Sequence, residues 1–500
     1  MKKAIALFAL TILTSACTVG PNYKRPKVDA PGMYRGAPQQ DAAQPLQGSS
    51  AQGSNPAGDL TRQDSKPADK ALQQAQPPVE PSFGDQKWWE VFQDPQLQQL
   101  IRTALQNNYD VRIAATRILE AQAQLGITRA DQLPSVGAGA SAVNQRYPKG
   151  KEPYMPPQFE TSGESATASM AWELDFWGKY RRATEAARAN LLATEWAHRA
   201  VTSMLVSNVA ASYFVLRSYD LQLEIARRTL ASRQESLQLT RKLSDGGAGS
   251  MVDVRQAEQL VAVAAETIPD LERCIQQQEN FISTLLGNNP GSIARGMKLT
   301  EQPHMPEVPA GVPSRLIERR PDIRAAEAQL MAANAQIGVA KSAYFPQITL
   351  TANSGYQSSA LTSLFTGPAG MWNFGGSLAQ PIFTGGRIKS GVRLSEACKK
   401  EMVLNYQQTI QQAFRGVSDA LIGYQKSHEY RTHQEELLLA AREAAQLSEV
   451  RYRGGATSYL EVLTNETNAF NAEIGLTQAQ LNELLSLVEI YRNLGGGWDM

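Results

Sequence analysis

The sequence has few of the residues that define several common protein classes. Its 500 residues include three cysteines and four histidines, and the formal net charge is +1. Three cysteines exclude a disulfide framework, and the balanced charge argues against a nucleic-acid-binding protein. No run approaches the roughly 18–20 apolar residues that a membrane-spanning helix needs, and the mean hydropathy of −0.34 excludes a polytopic helical membrane protein. Charged residues make up only 19% of the chain, so much of its surface is neutral or faces something other than water.

The first seventeen residues have the features of a secretory signal that ends at a cysteine. Two lysines precede the apolar run Ala4–Leu13, and small residues lead to Cys17. This order is typical of a signal peptide, here residues 1–16. The cysteine after Ser-Ala resembles the bacterial lipoprotein box and predicts acylation of Cys17, although Thr14 stands where that box usually has leucine. The alternative is an ordinary signal peptide with an incidental cysteine.

Composition divides the rest of the chain into an anchored segment, a linker and two large halves. Residues 36–82 contain four large apolar side chains and no aromatic one. They bury too little surface to offset the entropy of ordering, which predicts a disordered Gln/Ala/Pro-rich linker; a ligand-binding tail is the alternative. The lipid-anchored segment is then 17–35, and the halves are 83–300 and 301–500. Asp94, directly before a proline, predicts a helix N-terminus.

Long helices are predicted in both halves. Lys179–Asp245 lacks glycine and proline, which allows a helix of roughly 100 Å, longer than a compact globular domain accommodates. Ala456–Leu494 carries a mostly apolar heptad, which is typical of left-handed coiled-coil packing. Its seam positions are Leu463, Glu466, Phe470, Ile474, Thr477, Leu481, Leu484, Val488 and Tyr491. A further helical stretch, 251–286, contains Pro269, which predicts a break or a kink.

The chain also repeats itself. Residues 110–112 (Asp-Val-Arg) match residues 322–324 (Asp-Ile-Arg), 212 positions further on, and a glycine and a proline recur at the same offset. The glycine-rich segment 247–254 matches 455–462 at an offset of 208. Because motif, order and spacing agree, the sequence predicts a tandem internal duplication of a unit of about 210 residues.

Each half contains two segments in which apolar and small polar residues alternate. They lie at 135–144, 166–176, 348–353 and 372–379. Segments of about ten residues with this alternation are typical of outer-membrane barrel strands. The aromatic residues suited to the membrane interface are Trp172, Phe176, Trp372 and Phe383. A soluble sandwich with one wet face is the alternative, and it would need more strands.

Four strands are too few to form a closed barrel within one chain. An open sheet cannot cross lipid, because its unpaired edges would lack hydrogen-bond partners. The barrel must therefore close between chains, and three chains supply twelve strands. We predict a mixed α/β membrane protein: a homotrimer whose 12-stranded barrel continues as an α-helical coiled-coil tunnel across the periplasm.

Further segments carry a family resemblance. They are WWEVFQDPQL at 88–97, ERRPDIRAAE at 318–327, YFP at 344–346 and LGGGW at 494–498. The chain resembles the TolC-like outer-membrane channels of tripartite multidrug efflux pumps, in particular their lipid-anchored, OprM-like branch, over residues 17–36 and 83–500. The resemblance implies a passive conduit in the Gram-negative outer membrane that exports drugs or other small toxic compounds. It also implies two partners, a periplasmic adaptor (a membrane fusion protein) and an inner-membrane resistance-nodulation-division transporter that supplies the energy.

Two glycine-rich turns, 245–250 and 453–458, join long helical stretches. Glycine permits the left-handed backbone that a tight helical hairpin needs. The resemblance implies that these turns are periplasmic tips that contact the adaptor; turn chemistry alone is the alternative. The candidate docking residues are Gly246, Gly247, Gly249, Ser250, Gly454, Gly455 and Ser458.

The resemblance also implies a gate just past the second turn, where an apolar ring and an acidic ring close the tunnel. Leu460 matches the apolar position, but Thr464 stands where the lipid-anchored branch typically has Asp. Glu461 or Asp253 is the alternative source of charge. Three carboxylates converging on a threefold axis would repel each other and attract cations. A solvated helix face is the bland alternative.

Few other residues indicate a catalytic or metal-binding site. Cys274 and Cys398 are interpreted as small apolar side chains in helix packing. His428 and His433 are five apart, which argues against a metal pair, and residues 385–387 predict a strand-to-helix turn. No nucleophile–base pair or dinucleotide fingerprint occurs, so no enzyme, cofactor or metal site is predicted. The competing functions are a type I protein secretion channel and a non-channel coiled-coil lipoprotein that tethers the envelope.

Overall fold

The computed structural model describes residues 18–27, 31, 33–35, 82–146, 160–303, 308–309, 311 and 313–498. Cys17 and nearly all of the predicted linker lie outside these residues. The helices of the described chain are α1 (Trp88–Val91), α2 (Pro95–Asn107), α3 (Tyr109–Ala130), α4 (Lys179–Asp245), α5 (Met251–Leu285), α6 (Pro313–Arg319), α7 (Pro321–Ser342), α8 (Arg387–Arg453) and α9 (Tyr459–Asn493). The strands are β1 (Ser135–Arg146), β2 (Glu160–Glu173), β3 (Gln347–Ser358) and β4 (Gly370–Ala379).

Elements of equal length recur in the two halves of the sequence. Helices α3 and α7 have 22 residues each, α4 and α8 have 67 each, and α5 and α9 have 35 each. The helix predicted over Lys179–Asp245 is confirmed to the residue. The matched sequence motifs thus fall at matched places in the order of elements.

Two compact units divide the described chain, and each contains parts of both halves. The first unit takes its described residues from Met1–Asp29, Asp110–Ala200 and Pro321–Ile410. The second takes its residues from Ala30–Tyr109, Val201–Arg320 and Gln411–Met500. The sequence halves and the compact units are therefore different divisions of the same chain.

The first unit contains a four-stranded antiparallel sheet in the order β1-β2-β3-β4. Its register aligns Val136 with Met170, Met170 with Ala352, and Ala352 with Phe374. Since directly paired residues project from the same face of a sheet, the apolar residues of all four strands share one face. The predicted alternation is confirmed, and β1 and β4 are the edge strands of the described sheet.

Strand β2 ends earlier than the alternation predicts. It stops at Glu173, so Phe176 lies in the following bend. The Asp175 carboxylate accepts a hydrogen bond from the backbone N–H of Arg181 at 2.9 Å, and Gly178 adopts a φ of 80° before α4 begins. The prediction of strand through 176 is wrong because residues 174–178 form the bend that leads into α4. Phe383 likewise follows β4 rather than belonging to it.

The start of α2 in the second unit agrees with the sequence. Asp94 caps the helix by accepting hydrogen bonds from the backbone N–H groups of Gln96 and Leu97, and a proline occupies its first turn. Along α9, the heptad positions from Thr477 to Tyr491 are buried and the earlier ones are half-buried. The predicted seam therefore faces the interior of the unit along its whole length.

Of the two outcomes predicted at Pro269, the break is wrong, because α5 runs through it from Met251 to Leu285, whereas a kink stays a prediction. Proline removes one backbone donor, which leaves the carbonyl four residues earlier, at Ala265, without its helical partner. Both Ala265 and Pro269 are exposed, so water can satisfy that carbonyl. The helix loses one hydrogen bond at a place where the loss is small.

Candidate functional site

The first helical turn, between α4 and α5, closes tightly on backbone hydrogen bonds. The N–H groups of Ala248 and Gly249 both donate to the carbonyl of Leu243, at 2.8 and 2.9 Å. Gly247 has a φ of 73°, the left-handed conformation that glycine adopts without strain. The Ser250 hydroxyl accepts from the N–H of Val252 and caps α5. The sequence prediction of a glycine-dependent hairpin turn is confirmed here.

The second turn, between α8 and α9, has the same design. Ala456 donates to the carbonyl of Arg451 at 2.8 Å, and Gly455 has a φ of 71°. Ser458 occupies the N-cap position of α9, but its hydroxyl makes no capping hydrogen bond with a described residue. The two turns have similar backbone conformations and hydrogen bonds, and they differ in the side-chain capping of the helix that follows.

The candidate gate residues lie near the starts of α5 and α9, with Asp253, Leu460 and Glu461 in the first turns and Thr464 in the second turn of α9. Leu460 is 55% exposed. The Thr464 hydroxyl donates to the backbone carbonyl of Leu460 at 2.9 Å, as threonines on helices often do. The Leu460 side chain therefore projects from the tip region, while the Thr464 hydroxyl is engaged by its own helix.

Both acidic gate candidates already have local partners. Glu461 forms an ion pair with Arg451 at 2.7 Å across the second turn, and it also accepts from the Thr457 hydroxyl. Asp253 accepts from the N–H of Ser250 at 3.2 Å and completes a capping box. Both carboxylates thus bond to groups of their own turn in the single chain. The acidic ring at the tunnel entrance stays a prediction.

A tyrosine pair beside the tips is absent from the sequence predictions. Tyr459 is 1% exposed, packs edge-on against Tyr452 at 5.2 Å between ring centroids, and forms a cluster with Ala257 and Val462. Burial raises the pKa of both tyrosines above the usual phenol value. The only sequence signal was the alignment of Tyr459 with Met251 in the duplicated unit, and that alignment does not indicate an aromatic pair.

The apolar face of the sheet carries two of the four predicted interface aromatics, Trp172 and Trp372. Trp372 is 80% exposed on β4, and Phe383 is 90% exposed beyond it. Trp172 is half-buried and donates its indole N–H to the carbonyl of Gln132 at 3.0 Å. The sequence prediction missed Phe374, which is 74% exposed on the same face as Trp372. Large apolar side chains this exposed mark a surface that meets something other than water.

One helix of the described chain is long and apolar enough to cross a membrane by length and composition alone. It is α4, and 61% of the relevant window is buried inside the structure. Core helices of soluble proteins meet the same criterion, so this helix is weak evidence for a membrane span.

The segment that follows Cys17 is fixed to the base of the first unit. The N–H of Val19 donates to the carbonyl of Trp177 at 3.0 Å, and the Arg182 guanidinium contacts the carbonyls of Val19 and Gly20 and the Asn22 side chain. A second clasp joins Arg25 to the buried carboxylate of Glu327 at 2.5 Å. A side chain at Gly178 would collide with Thr18, which shows how closely this segment approaches the strand-to-helix turn.

The remaining candidate residues are spread through the helices. Cys274 is half-buried, whereas Cys398 is exposed, so the packing interpretation is wrong for Cys398 within this chain. His428 contacts Glu483 at 2.8 Å and His433 contacts Glu436 at 3.1 Å, in separate pairs. Among the described residues, no group of three or more His, Cys, Asp or Glu is arranged to hold a metal ion. The turn predicted at 385–387 is confirmed, with positive φ at Gly385 and Gly386 before α8.

An exposed apolar sheet face together with long helical hairpins defines the class of outer-membrane channel subunits, and comparison with known proteins agrees. The sequence profile described as outer membrane efflux protein matches residues 100–288 and 312–496. The toluene efflux pump outer membrane protein TtgC of Pseudomonas putida is 38% identical over 423 residues, covering 83% of this chain and 86% of that protein. The cation efflux system protein CusC of Escherichia coli is 36% identical over 413 residues, covering 82% and 88%.

Solved structures agree in fold over almost the whole chain. The open state of the outer membrane channel MtrE of Neisseria gonorrhoeae superimposes with a TM-score of 0.80 at 28% identity, covering 96% of this chain and 99% of that one. The outer-membrane channel OprN superimposes with a TM-score of 0.81 at 29% identity, covering 96% and 100%. The chain belongs to the outer membrane efflux protein family. It is an outer-membrane efflux protein with a transport role.

Proposed function

We propose that the chain is the outer-membrane channel subunit of a tripartite efflux pump and that it acts as a homotrimer. The single observation that carries this proposal is the sheet. It has one apolar face, and β1 and β4 end it with unpaired edges within the described chain. Open edges are unstable in lipid, and three such sheets joined edge to edge make a closed 12-stranded barrel.

The paired long helices extend the proposal to the periplasm. Helices α4 and α8 each span roughly 100 Å at 1.5 Å per residue, and each returns through a glycine turn into a 35-residue helix. Three chains would contribute six such hairpins to a coiled-coil tunnel, and matched elements in both halves support a tandem duplication. The tips would contact a periplasmic adaptor, and an inner-membrane resistance-nodulation-division transporter would supply the energy.

The compounds transported are proposed from relatives alone. One relative is named for toluene efflux and another for cation efflux. We infer for this chain the export of drugs or other small toxic compounds. A passive conduit makes few selective contacts, so the transporter would select the compound.

We also propose that Cys17 is acylated and anchors the chain in the outer membrane. The contacts of Trp177 and Arg182 with Val19, Gly20 and Asn22 support this, since they hold the described segment nearest to Cys17 in sequence against the first turn of α4. Cys17→Ser should abolish labelling by radioactive palmitate while trimers persist, because the barrel does not depend on the lipid. Arg182→Gln is the matched control and should retain the label. A labelled Cys17→Ser protein would overturn the assignment.

The function is tested by the oligomer mass and the single-channel conductance of the detergent-purified protein. A trimer that inserts into planar bilayers and conducts ions supports the channel. A monomer or dimer without conductance would contradict it, because four strands cannot close alone. Such a result would favour the envelope-tether function instead.

A further inference from the structure

A cavity lined by charged side chains lies within the second unit. It has a volume of about 340 Å³ and is bounded by α4, α8 and α9. Its charged walls come from all three helices and consist of Arg228, Arg233, Arg442, Glu449, Glu466 and Glu473. The cavity thus lies between α4 of the first hairpin (α4 and α5) and both helices of the second hairpin (α8 and α9).

Glu466 is the unusual member of this cavity. Its Oε2 atom is buried and makes no hydrogen bond with any described residue. Burial raises the pKa of Glu466, the nearby Arg233 guanidinium lowers it in part, and Glu449 raises it further. A carboxylate in this position is therefore more easily protonated than an ordinary one, because its charged form is poorly solvated.

Arg233 is close enough to influence Glu466, and its guanidinium is only partly engaged elsewhere, because its Nε has no hydrogen-bond partner among the described residues. It is 3% exposed, donates to the backbone carbonyl of Leu260 at 2.9 Å, and lies over the Phe470 ring at 5.2 Å. Burial lowers the pKa of Arg233, and the charge of Glu466 opposes that effect. No ion pair within 4.0 Å joins Arg233 to Glu466 among the described contacts. Tyr459, also buried nearby, adds a further titratable group.

A second contact in the same cavity fixes the hairpins to each other. Glu473 on α9 accepts from Arg228 on α4 at 2.5 Å and also from Arg442 on α8. Glu449 on α8 is paired with Arg453. The other carboxylates of the cavity thus have ion-pair partners, and Glu466 is the one whose charge depends on the packing of α9 against α4.

We propose that Glu466 is a proton-linked latch between the two hairpins: its neutral form stays in the cavity and holds α9 against α4, and its ionised form loosens that contact. This inference rests on the proposed function, because loosening α9 would open the tunnel entrance. The packed state is stabilised at a pH below the raised pKa of the carboxyl. That stabilisation is lost as the pH rises from the ordinary carboxyl value through the raised one.

Hydrogen exchange of the α9 backbone amides in the purified trimer tests the latch, at about pH 5 and about pH 7.5 with correction for intrinsic exchange. Wild-type amides near Glu466 should be several-fold better protected at the lower pH. Glu466→Gln is permanently neutral and should be equally protected at both. Arg233→Gln should move the midpoint to higher pH, because the guanidinium no longer favours the ionised carboxylate.

Glu443→Gln is the matched control, since Glu443 is exposed on α8 and lies outside the cavity; it should retain the wild-type pH dependence. The same pH dependence in wild type and Glu466→Gln would overturn the latch. Conductance measured in parallel separates the two proposals: a protein that never conducts but shows the pH-dependent protection retains the latch and loses the channel.

Discussion

Asp94 illustrates how much one buried carboxylate can organise. It is fully buried, and its two oxygens together accept from donors in several parts of the second unit. Oδ1 accepts from the N–H groups of Gln96 and Leu97, which caps α2. Oδ2 accepts from the Tyr213 hydroxyl at 2.8 Å, the Met297 N–H at 2.9 Å and Gln302. Every partner is a donor, which suits an ionised carboxylate and no neutral side chain of that size.

Asp94→Asn should therefore destabilise the protein even though asparagine caps helices well. The amide keeps one acceptor oxygen for the cap but turns an NH₂ group toward the three donors on the other side. Leaving buried donors unpaired costs about 1–3 kcal/mol, so the thermal midpoint should fall clearly. The control is Ser250→Ala, which removes only an exposed cap and should cost about 1 kcal/mol. Equal shifts in thermal unfolding for both variants would show that the Oδ2 contacts contribute nothing.

The sequence predicted only the local half of this arrangement. Asp94 before a proline indicates a helix cap because the relevant donors lie two and three residues away. The partners Tyr213, Met297 and Gln302 lie more than a hundred positions away, and no spacing rule connects them to Asp94. The exposed aromatics were predictable for the same reason as the cap, since a period of two places Trp372 and Phe374 on one face without long-range information.

At the scale of elements, the two hairpin turns depend on the backbone rather than on contacts. No atom of the described residues lies within 4 Å of where a Cβ on Gly247 or Gly455 would be, yet both have φ above +70°. An L-residue is disfavoured there by its own backbone. Each turn thus needs glycine at its left-handed position, and the first turn also leaves little room at Gly249, where a Cβ would lie 3.0 Å from the Ser244 nitrogen.

Gly455→Ala should lower stability by about 1–2 kcal/mol, which is the usual penalty for an L-residue in the left-handed region. Gly454→Ala is the matched control one residue away. Its Cβ would meet the Val450 carbonyl at 3.5 Å, an ordinary contact, and its φ is not positive. Limited proteolysis at the second turn and thermal unfolding would measure the difference. If both variants behave alike, the left-handed glycine is not what shapes the turn.

Pro269 shows why a helix can continue through a proline that the sequence rule expects to break or kink it. The expectation that proline interrupts a helix considers only the lost backbone hydrogen-bond donor and the steric clash of the ring with the preceding turn. It does not weigh the 35 residues of α5, which pack Val254, Ala257, Leu260, Leu271 and Ile275 into the interior on both sides of the proline. The sequence shows the local free-energy cost of a proline in a helix. The stabilisation from packing the apolar face of α5, which outweighs that cost, is seen only in the folded unit.

At the scale of the whole molecule, the proposed channel needs more than one chain. The edge strands β1 and β4 are unpaired within the described chain, and apolar side chains such as Trp372 and Phe383 are almost fully exposed. The proposed trimer follows from strand number, because four strands are too few to close a barrel and three chains would supply twelve. The details of subunit contact could not be predicted, since they depend on surfaces of a second copy that no single sequence pattern encodes.

In the proposed function, closure of the tunnel entrance is a property of the assembled trimer. Leu460 is 55% exposed in one chain, and the proposed function requires three copies to meet on the axis. Leu460→Ala should raise ion leak several-fold and sensitise cells to vancomycin, because a smaller side chain leaves the apolar ring open. Val252→Ala is the matched control: Val252 is 62% exposed at the equivalent position of the first turn, but the family resemblance does not assign it to the ring. Conductance in planar bilayers and antibiotic sensitivity in cells would be compared for the two variants. Unchanged permeability in Leu460→Ala, or an equal leak in both, would remove Leu460 from the gate and leave the ion-paired Glu461 and the capping Asp253 as the remaining candidates.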